Sequence, residues 1–128
     1  MKSKIAIAFD NCKKEKRSAL ITYTVAGDNT KKNSLKILNK ISKHADILEL
    51  GFPHNTPIAD GGQIQGSSHR ALKNGIKLKD VFQIVRSFKK NNSHKPIILM
   101  GYFNLIYQNG ENNFLKSCKS SGVDGLIK

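Results

Sequence analysis

Short apolar segments typical of β-strands alternate with segments of helical periodicity along the chain, and this alternation restricts the possible folds more than any other feature. Residues 19–25 are rich in β-branched and aromatic side chains and are followed by a glycine-containing turn. Further segments typical of strands cover residues 47–50, 96–100 and 123–127. Strands that are almost continuously apolar are typical of parallel sheets with both faces covered. The alternation therefore predicts an α/β fold with helices outside a parallel sheet.

Helical periodicity fills the intervals between these strands. Leu35, Leu38, Ile41 and Ala45 recur at helical spacing, and lysines occupy the opposite face of the same segment. Asp80 is a plausible N-cap for a helix that begins at the next residue. Further helices are predicted over residues 5–16, 64–72, 81–88, 105–107 and 114–118.

The number of strands limits the architecture. A length of 128 residues predicts one domain, residues 1–128. An open doubly wound sheet and a (β/α) barrel both fit the pattern, but a closed barrel needs eight strands and about 250 residues. The fourth strand runs into Lys128 with no covering helix after it. From the residues alone, the chain is expected to be cut off part-way through its fold.

Composition excludes several classes of protein. The 22 basic residues outnumber the 9 acidic ones, but all except Arg17, Arg70 and Arg86 are scattered lysines, which favours a solvated surface over a nucleic-acid site. The apolar runs are too short to span a bilayer, and no secretory signal is recognised. Cys12 and Cys118 lie far apart, which argues against a disulfide scaffold or a zinc site. A cytoplasmic protein without a membrane or nucleic-acid partner is expected.

Two carboxylates and one phenol are candidates for a site. Glu49 lies inside a buried-strand pattern, where lost hydration raises the pKa of a carboxyl group and suits it to acid–base chemistry. The alternatives are that its strand is an edge strand, or that its charge reaches water at the end of the sheet. Asp60 precedes a helix, and a simple N-cap is its alternative role. In parallel α/β folds, sites form at the carboxyl ends of the strands, so both acids are expected on one rim. Tyr102, just after the third strand, is either a third rim residue or a core aromatic.

These residues lie within motifs that resemble those of the tryptophan synthase alpha subunit family. The sequence reads ELGFP at positions 49–53, PIADG at 57–61 and IQ at 64–65. Supporting matches are AGD at 26–28, MGYFN at 100–104 and GVDG at 122–125. The resemblance extends over essentially the whole chain.

The resemblance implies a TIM (β/α)8 barrel, of which the chain would form about the first four βα units. It implies a lyase that cleaves indole-3-glycerol phosphate to indole and glyceraldehyde 3-phosphate by a retro-aldol step, without a cofactor, in tryptophan biosynthesis. The residue matching Glu49 would shuttle protons, and the one matching Asp60 would stabilise charge at the indole N–H. The indole pocket would be lined by four residues: Tyr102, Tyr23, Met100 and Ile127.

The resemblance also implies a partner, the PLP-dependent beta subunit of an alpha2beta2 tetramer. Departures from the family pattern affect this expectation. The sequence HNT at 54–56 replaces an aromatic residue, a serine and an aspartate that contacts the beta subunit. Val25 stands where threonine is usual, and Gly62 replaces a proline, which loosens the start of its helix. The family's phosphate-binding loops follow strands seven and eight, and nothing in this chain supplies them.

The leading prediction is therefore the N-terminal half of an alpha-type lyase, which alone should turn over negligibly. An alternative is a non-catalytic half barrel that binds a beta subunit or a complementing fragment. A basic nucleic-acid binder is the least favoured hypothesis.

Overall fold

A computed structural model describes all residues, 1–128, and confirms the alternation of strands and helices. The strands are β1 (Ile21–Val25), β2 (Ile47–Gly51), β3 (Ile97–Met100) and β4 (Gly125–Ile127). The helices are α1 (Lys4–Lys14), α2 (Lys31–Ile41), α3 (Gly62–Lys73), α4 (Leu78–Asn91), α5 (Phe103–Asn109) and α6 (Glu111–Ser121). None of these helices is both long and apolar enough to cross a membrane.

The four strands form one parallel sheet in the order β1-β2-β3-β4. Alternate side chains of the central strands are fully buried: Leu48 and Leu50 of β2, with Ile97 and Leu99 of β3, belong to a cluster of 19 core residues. The cluster also takes in the buried faces of α2 and α4, which supply residues such as Leu38 and Phe88. The hydrophobic core therefore lies between the sheet and its helices.

The other face of the sheet is less completely covered. Ile47 is buried yet stands outside the core cluster, whereas Ile21 and Ile127, on the edge strands, remain 44% and 45% exposed. Helix α1 contributes to this face, because Ile5 lies beside Gly125 and Ile98. This side of the sheet, opposite the core cluster, is called the open face, and it carries apolar side chains at both edges.

Several predicted boundaries differ from the structure. Strand β1 begins at Ile21 and not at residue 19, and β4 begins at Gly125 and not at residue 123. Just before β4, the Asp124 carboxylate accepts from the Ile97 N–H and binds Lys89. Asp80 is not the N-cap of α4. The helix begins earlier, with Lys77 as its N-cap, and Asp80 occupies the third helical position, where its carboxylate accepts from the Lys77 N–H. This bond is one half of a capping box, because the lysine side chain at the N-cap has no acceptor to offer in return.

The excess of basic residues lies on the surface. All lysines are exposed except Lys89 and Lys95, which are half-buried. Lys89 forms an ion pair with Asp124 and also donates to the Lys95 carbonyl. The lysines therefore behave mainly as a solvated surface.

Candidate active site

Glu49 lies on the open face of the sheet and not among the helices. Its neighbours in the register are Tyr23 on β1 and Ile98 on β3, whereas the alternate residues Leu48 and Leu50 enter the core. The side chain is half-buried, and burial raises the pKa of the Glu49 carboxyl with no hydrogen bond or charge opposing it. A carboxyl with a raised pKa can hold a proton at higher pH and release it within a reaction.

Tyr23 extends from β1 across the end of β2. A Cβ at Gly51 would overlap the Tyr23 hydroxyl, so the phenol rests against the backbone of Gly51 at the carboxyl end of the strand. Burial, followed by the charges of Asp60, Glu49 and Tyr102, raises the pKa of Tyr23 to about 12. The Tyr23 hydroxyl therefore stays neutral, and in the strand register its residue pairs with Glu49.

Asp60 and Tyr102 meet at the same end of the sheet. The Tyr102 hydroxyl accepts from the Ala59 N–H at 2.9 Å and donates to Asp60 Oδ2 at 3.4 Å. The N-cap of α3 is Gly61, so Asp60 does not serve as the N-cap. The Asp60 carbonyl accepts from the side-chain amide of Gln65 at 2.7 Å, which ties the loop to the first turn of α3. The Asp60 carboxylate thus binds Tyr102 through Oδ2, while Oδ1 makes no hydrogen bond within the chain.

A cavity of about 300 Å³ opens beside Asp60 and Tyr102. Met100 and Ile127 also line it, so it contains four of the six residues that the sequence suggested. Glu49 and Tyr23 do not line this cavity. The Tyr23 hydroxyl rests against Gly51, which pairs with Met100 of the cavity wall, and Glu49 lies two residues before Gly51 on β2. The volume is at the small end of the range for ligand pockets. No group of three His, Cys, Asp or Glu side chains suited to a metal ion is present.

Three further features of the site were missed by sequence reasoning. Phe103 lines the cavity and stacks under the Lys128 ammonium group, which lies 4.6 Å from its ring centre. Gly101 leaves room for the Phe52 ring, which a Cβ there would overlap. The His54 ring stacks on Tyr102, with ring centres 4.9 Å apart. Gly101 follows a strand directly, a recognisable signal for close backbone approach, whereas the stacking of His54 has no local signal.

Comparison with known proteins identifies the family. The protein-family model described as "Tryptophan synthase alpha chain" matches residues 9–128. The chain belongs to this family. A relative from Pelagibacter ubique, described as a tryptophan synthase alpha chain, is 69% identical; the match covers 98% of this chain and 47% of the relative. A relative from Pyrococcus furiosus with the same description is 48% identical, and the match covers 88% of this chain and 45% of the relative.

Solved structures of the tryptophan synthase alpha family share the fold. The subunit from Legionella pneumophila superposes with a TM-score of 0.95 at 35% identity, over 98% of this chain and 48% of that one. A structure described as the tryptophan synthase a2b2 complex from Pyrococcus furiosus gives a TM-score of 0.82 at 49% identity. The match covers 84% of this chain and 46% of that one. The four parallel strands therefore belong to a TIM barrel, here a partial one.

The chain spans about half the length of the curated relatives that it matches. A TIM barrel has eight strands, and the four described here form an open sheet. For a tryptophan synthase alpha chain, the carboxyl ends of the strands are the end of the fold where a site is expected. Asp60, Tyr102 and the cavity all lie at that end.

Proposed function

We propose that this chain carries the acid–base half of a lyase site that cleaves indole-3-glycerol phosphate to indole and glyceraldehyde 3-phosphate. The observation that carries the proposal is the position of two acids: Glu49 lies beside Tyr23 on the open face of the sheet, and Asp60 bonds to Tyr102 at the carboxyl end of the strands. Membership of the tryptophan synthase alpha family supports the choice of reaction. The proposed step uses no cofactor, and its setting is the cytoplasm.

In the proposed reaction, Glu49 acts as the acid and base. It donates a proton to the ring carbon that bears the side chain, and later takes the proton of the adjacent hydroxyl as the carbon–carbon bond breaks. The bonding electrons return to the ring, so indole and an aldehyde leave without any change in oxidation state. Burial favours the protonated form of Glu49, which supports the donor role.

Asp60 acts as the electrostatic partner in this scheme. Protonation of the ring carbon leaves positive charge on the ring nitrogen, and a carboxylate facing that N–H stabilises it. Tyr102 orients Asp60 through its hydroxyl, while Met100 and Ile127 supply apolar contacts for the ring. Tyr23 contributes a neutral phenol at the end of β2, against Gly51.

The chain alone is proposed to turn over negligibly. Its cavity is open, and the resemblance assigns phosphate binding to loops that follow strands seven and eight, whereas this sheet has four strands. The test measures indole release from the purified chain, and then from the chain mixed with the second half of the Pelagibacter ubique relative. We expect release only from the mixture, whereas turnover by the chain alone at the rate of a full-length relative would contradict the proposal.

The same assay tests the two acids. Glu49→Gln should lower the rate of the mixture by about 10²- to 10⁴-fold, the usual contribution of a general acid or base. Asp60→Asn should also lower it, while Glu111→Gln on the exposed face of α6 serves as the control. Unchanged rates in both site variants would refute the assignment.

A second candidate function is a non-catalytic half barrel that binds a beta subunit or a complementing fragment. The exposure of Ile21 and Ile127 on the two edge strands favours it, since open parallel edges can accept further strands. The Pyrococcus furiosus relative is described in an a2b2 complex, which supports a beta subunit as partner. Co-purification with a tagged beta subunit from a close relative tests this candidate, and a stable monomer that binds neither partner would contradict it.

A further inference from the structure

His54 is connected to Asp60 by an unbroken series of contacts. Its imidazole stacks on the Tyr102 ring, with centres 4.9 Å apart and planes inclined by 26°. The Tyr102 hydroxyl in turn contacts the Ala59 N–H and Asp60 Oδ2. If the His54 ring moves, the Tyr102 ring loses its stacking partner. The Tyr102 hydroxyl, which bonds to Ala59 and Asp60, is then less firmly positioned.

The charge state of His54 determines whether a hydrogen bond can form within the loop at residues 54–56. The Thr56 N–H donates to His54 Nδ1 at 3.0 Å. A neutral imidazole can accept this bond at Nδ1 while it carries its proton on Nε2, but a protonated imidazole carries hydrogen on both nitrogens and accepts nothing. Histidine side chains change charge between about pH 5 and 8. The bond to Thr56 therefore exists only in the neutral form.

We propose that His54 is a pH-dependent positioning residue for Asp60. In the neutral form it closes the loop on Thr56 and supports Tyr102, so Asp60 keeps its orientation toward the cavity. In the protonated form the Thr56 bond is lost, the loop loosens, and Asp60 loses its support. The proposal deepens the proposed function, since it rests on Asp60 as the carboxylate that faces the ligand.

Charged and titratable groups face His54 from two sides. Tyr102 stacks on its ring and contacts the Asp60 carboxylate. On the other side, His54 shares a cleft of about 720 Å³ with His69 and Lys73 of α3. The bond from the Thr56 N–H is the contact that requires an unprotonated Nδ1.

The first test follows the loop itself by NMR on the 128-residue chain between pH 8 and 5. We expect the Thr56 amide and Tyr102 ring signals to shift with the same midpoint as the His54 ring. In His54→Phe, which keeps an aromatic ring without a titrating nitrogen, that transition should vanish. His54→Gln, also uncharged throughout, gives the same expectation if the Phe variant does not fold, and His69→Gln is the control that should leave the transition in place.

The second test measures indole binding, with indole itself as the probe. The chain contains no tryptophan, so the fluorescence of bound indole is free of indole background from the protein. We expect the affinity of the parent chain to fall about fivefold from pH 8 to pH 5.5, the effect of losing one net hydrogen bond. His54→Phe should lose distinctly less over the same range.

The outcomes separate this inference from the proposed function. A chain that binds no indole at any pH, but whose Thr56 signal follows His54, contradicts the proposed function and leaves the loop transition established. A Thr56 signal that ignores the His54 titration overturns the inference. So does a His54→Phe variant with the same pH-dependent loss of indole affinity as the parent.

Discussion

At the residue scale, Gly51 determines where the Tyr23 ring can lie. A Cβ there would overlap the Tyr23 hydroxyl and approach Cζ to 2.7 Å. We predict that Gly51→Ala lowers the free energy of unfolding by about 1–3 kcal/mol, as measured by urea denaturation, because overpacking forces the ring to move. Adding Tyr23→Leu should restore stability, whereas adding Tyr23→Phe should not, since Cζ remains. An Ala variant as stable as the parent would contradict the close contact.

The Glu49 carboxyl leads to a pH-dependent prediction at the same scale. Burial raises its pKa in the folded chain above the unfolded value, so its contribution to stability is greatest below the unfolded pKa and is lost as pH rises through the folded pKa. Glu49→Gln should therefore raise the Tm at pH 7 and leave it nearly unchanged near pH 3.5. Glu111→Gln, on the exposed surface, should give no such gain at pH 7. A lower Tm for Glu49→Gln at pH 7 would show that the carboxylate has a stabilising partner.

At the scale of elements, the start of α4 depends on Asp80. Its side chain is only 5% exposed, accepts from the Lys77 N–H at 2.9 Å and pairs with Lys31 at 2.9 Å. Burial raises the pKa of Asp80, but the hydrogen bonds from Lys31 and Lys77 outweigh it and leave the pKa below its ordinary value. The stabilising effect is thus present above about pH 4 and is lost as pH falls through the folded pKa.

Removing that carboxylate tests the cap. Asp80→Ala should lower the free energy of unfolding at pH 7 by about 1–2 kcal/mol, because the Lys77 N–H loses its acceptor. Lys31→Ala removes only the ion pair with a half-exposed lysine and should cost less. Urea denaturation at pH 7 and pH 3 measures both variants. Equal losses for the two at pH 7 would assign the effect to the ion pair and not to the cap.

The elements also show what the sequence could and could not predict. All four strands were predicted, because continuous apolar runs and glycine turns act locally. The start of α4 was predicted three residues late, because Asp80 was taken as an N-cap when its side chain reaches back to Lys77. The face of Glu49 followed from the alternation along β2. The stacking of His54 on Tyr102 joins residues from different loops, and no local periodicity encodes such a contact.

At the scale of the whole molecule, the open sheet determines how the chain behaves in solution. Strands β1 and β4 each have a neighbour on one side, and apolar side chains such as Ile21 stay exposed at the edge. Exposed edges of this kind promote association between chains, and a charged residue on the edge opposes it. We predict that Ile21→Lys lowers the light scattering of the purified chain at a fixed concentration, measured at moderate salt.

A matched variant separates the edge from the net charge. The formal charge is already +13, and any added lysine raises it to +14, which by itself reduces association. Leu115→Lys makes the same change in charge at a residue that is 54% exposed and belongs to helix α6, not to a strand. If the edge is the contact, Ile21→Lys reduces scattering more than Leu115→Lys does. Equal reductions would mean that charge repulsion, and not the open strand, controls association of this half barrel.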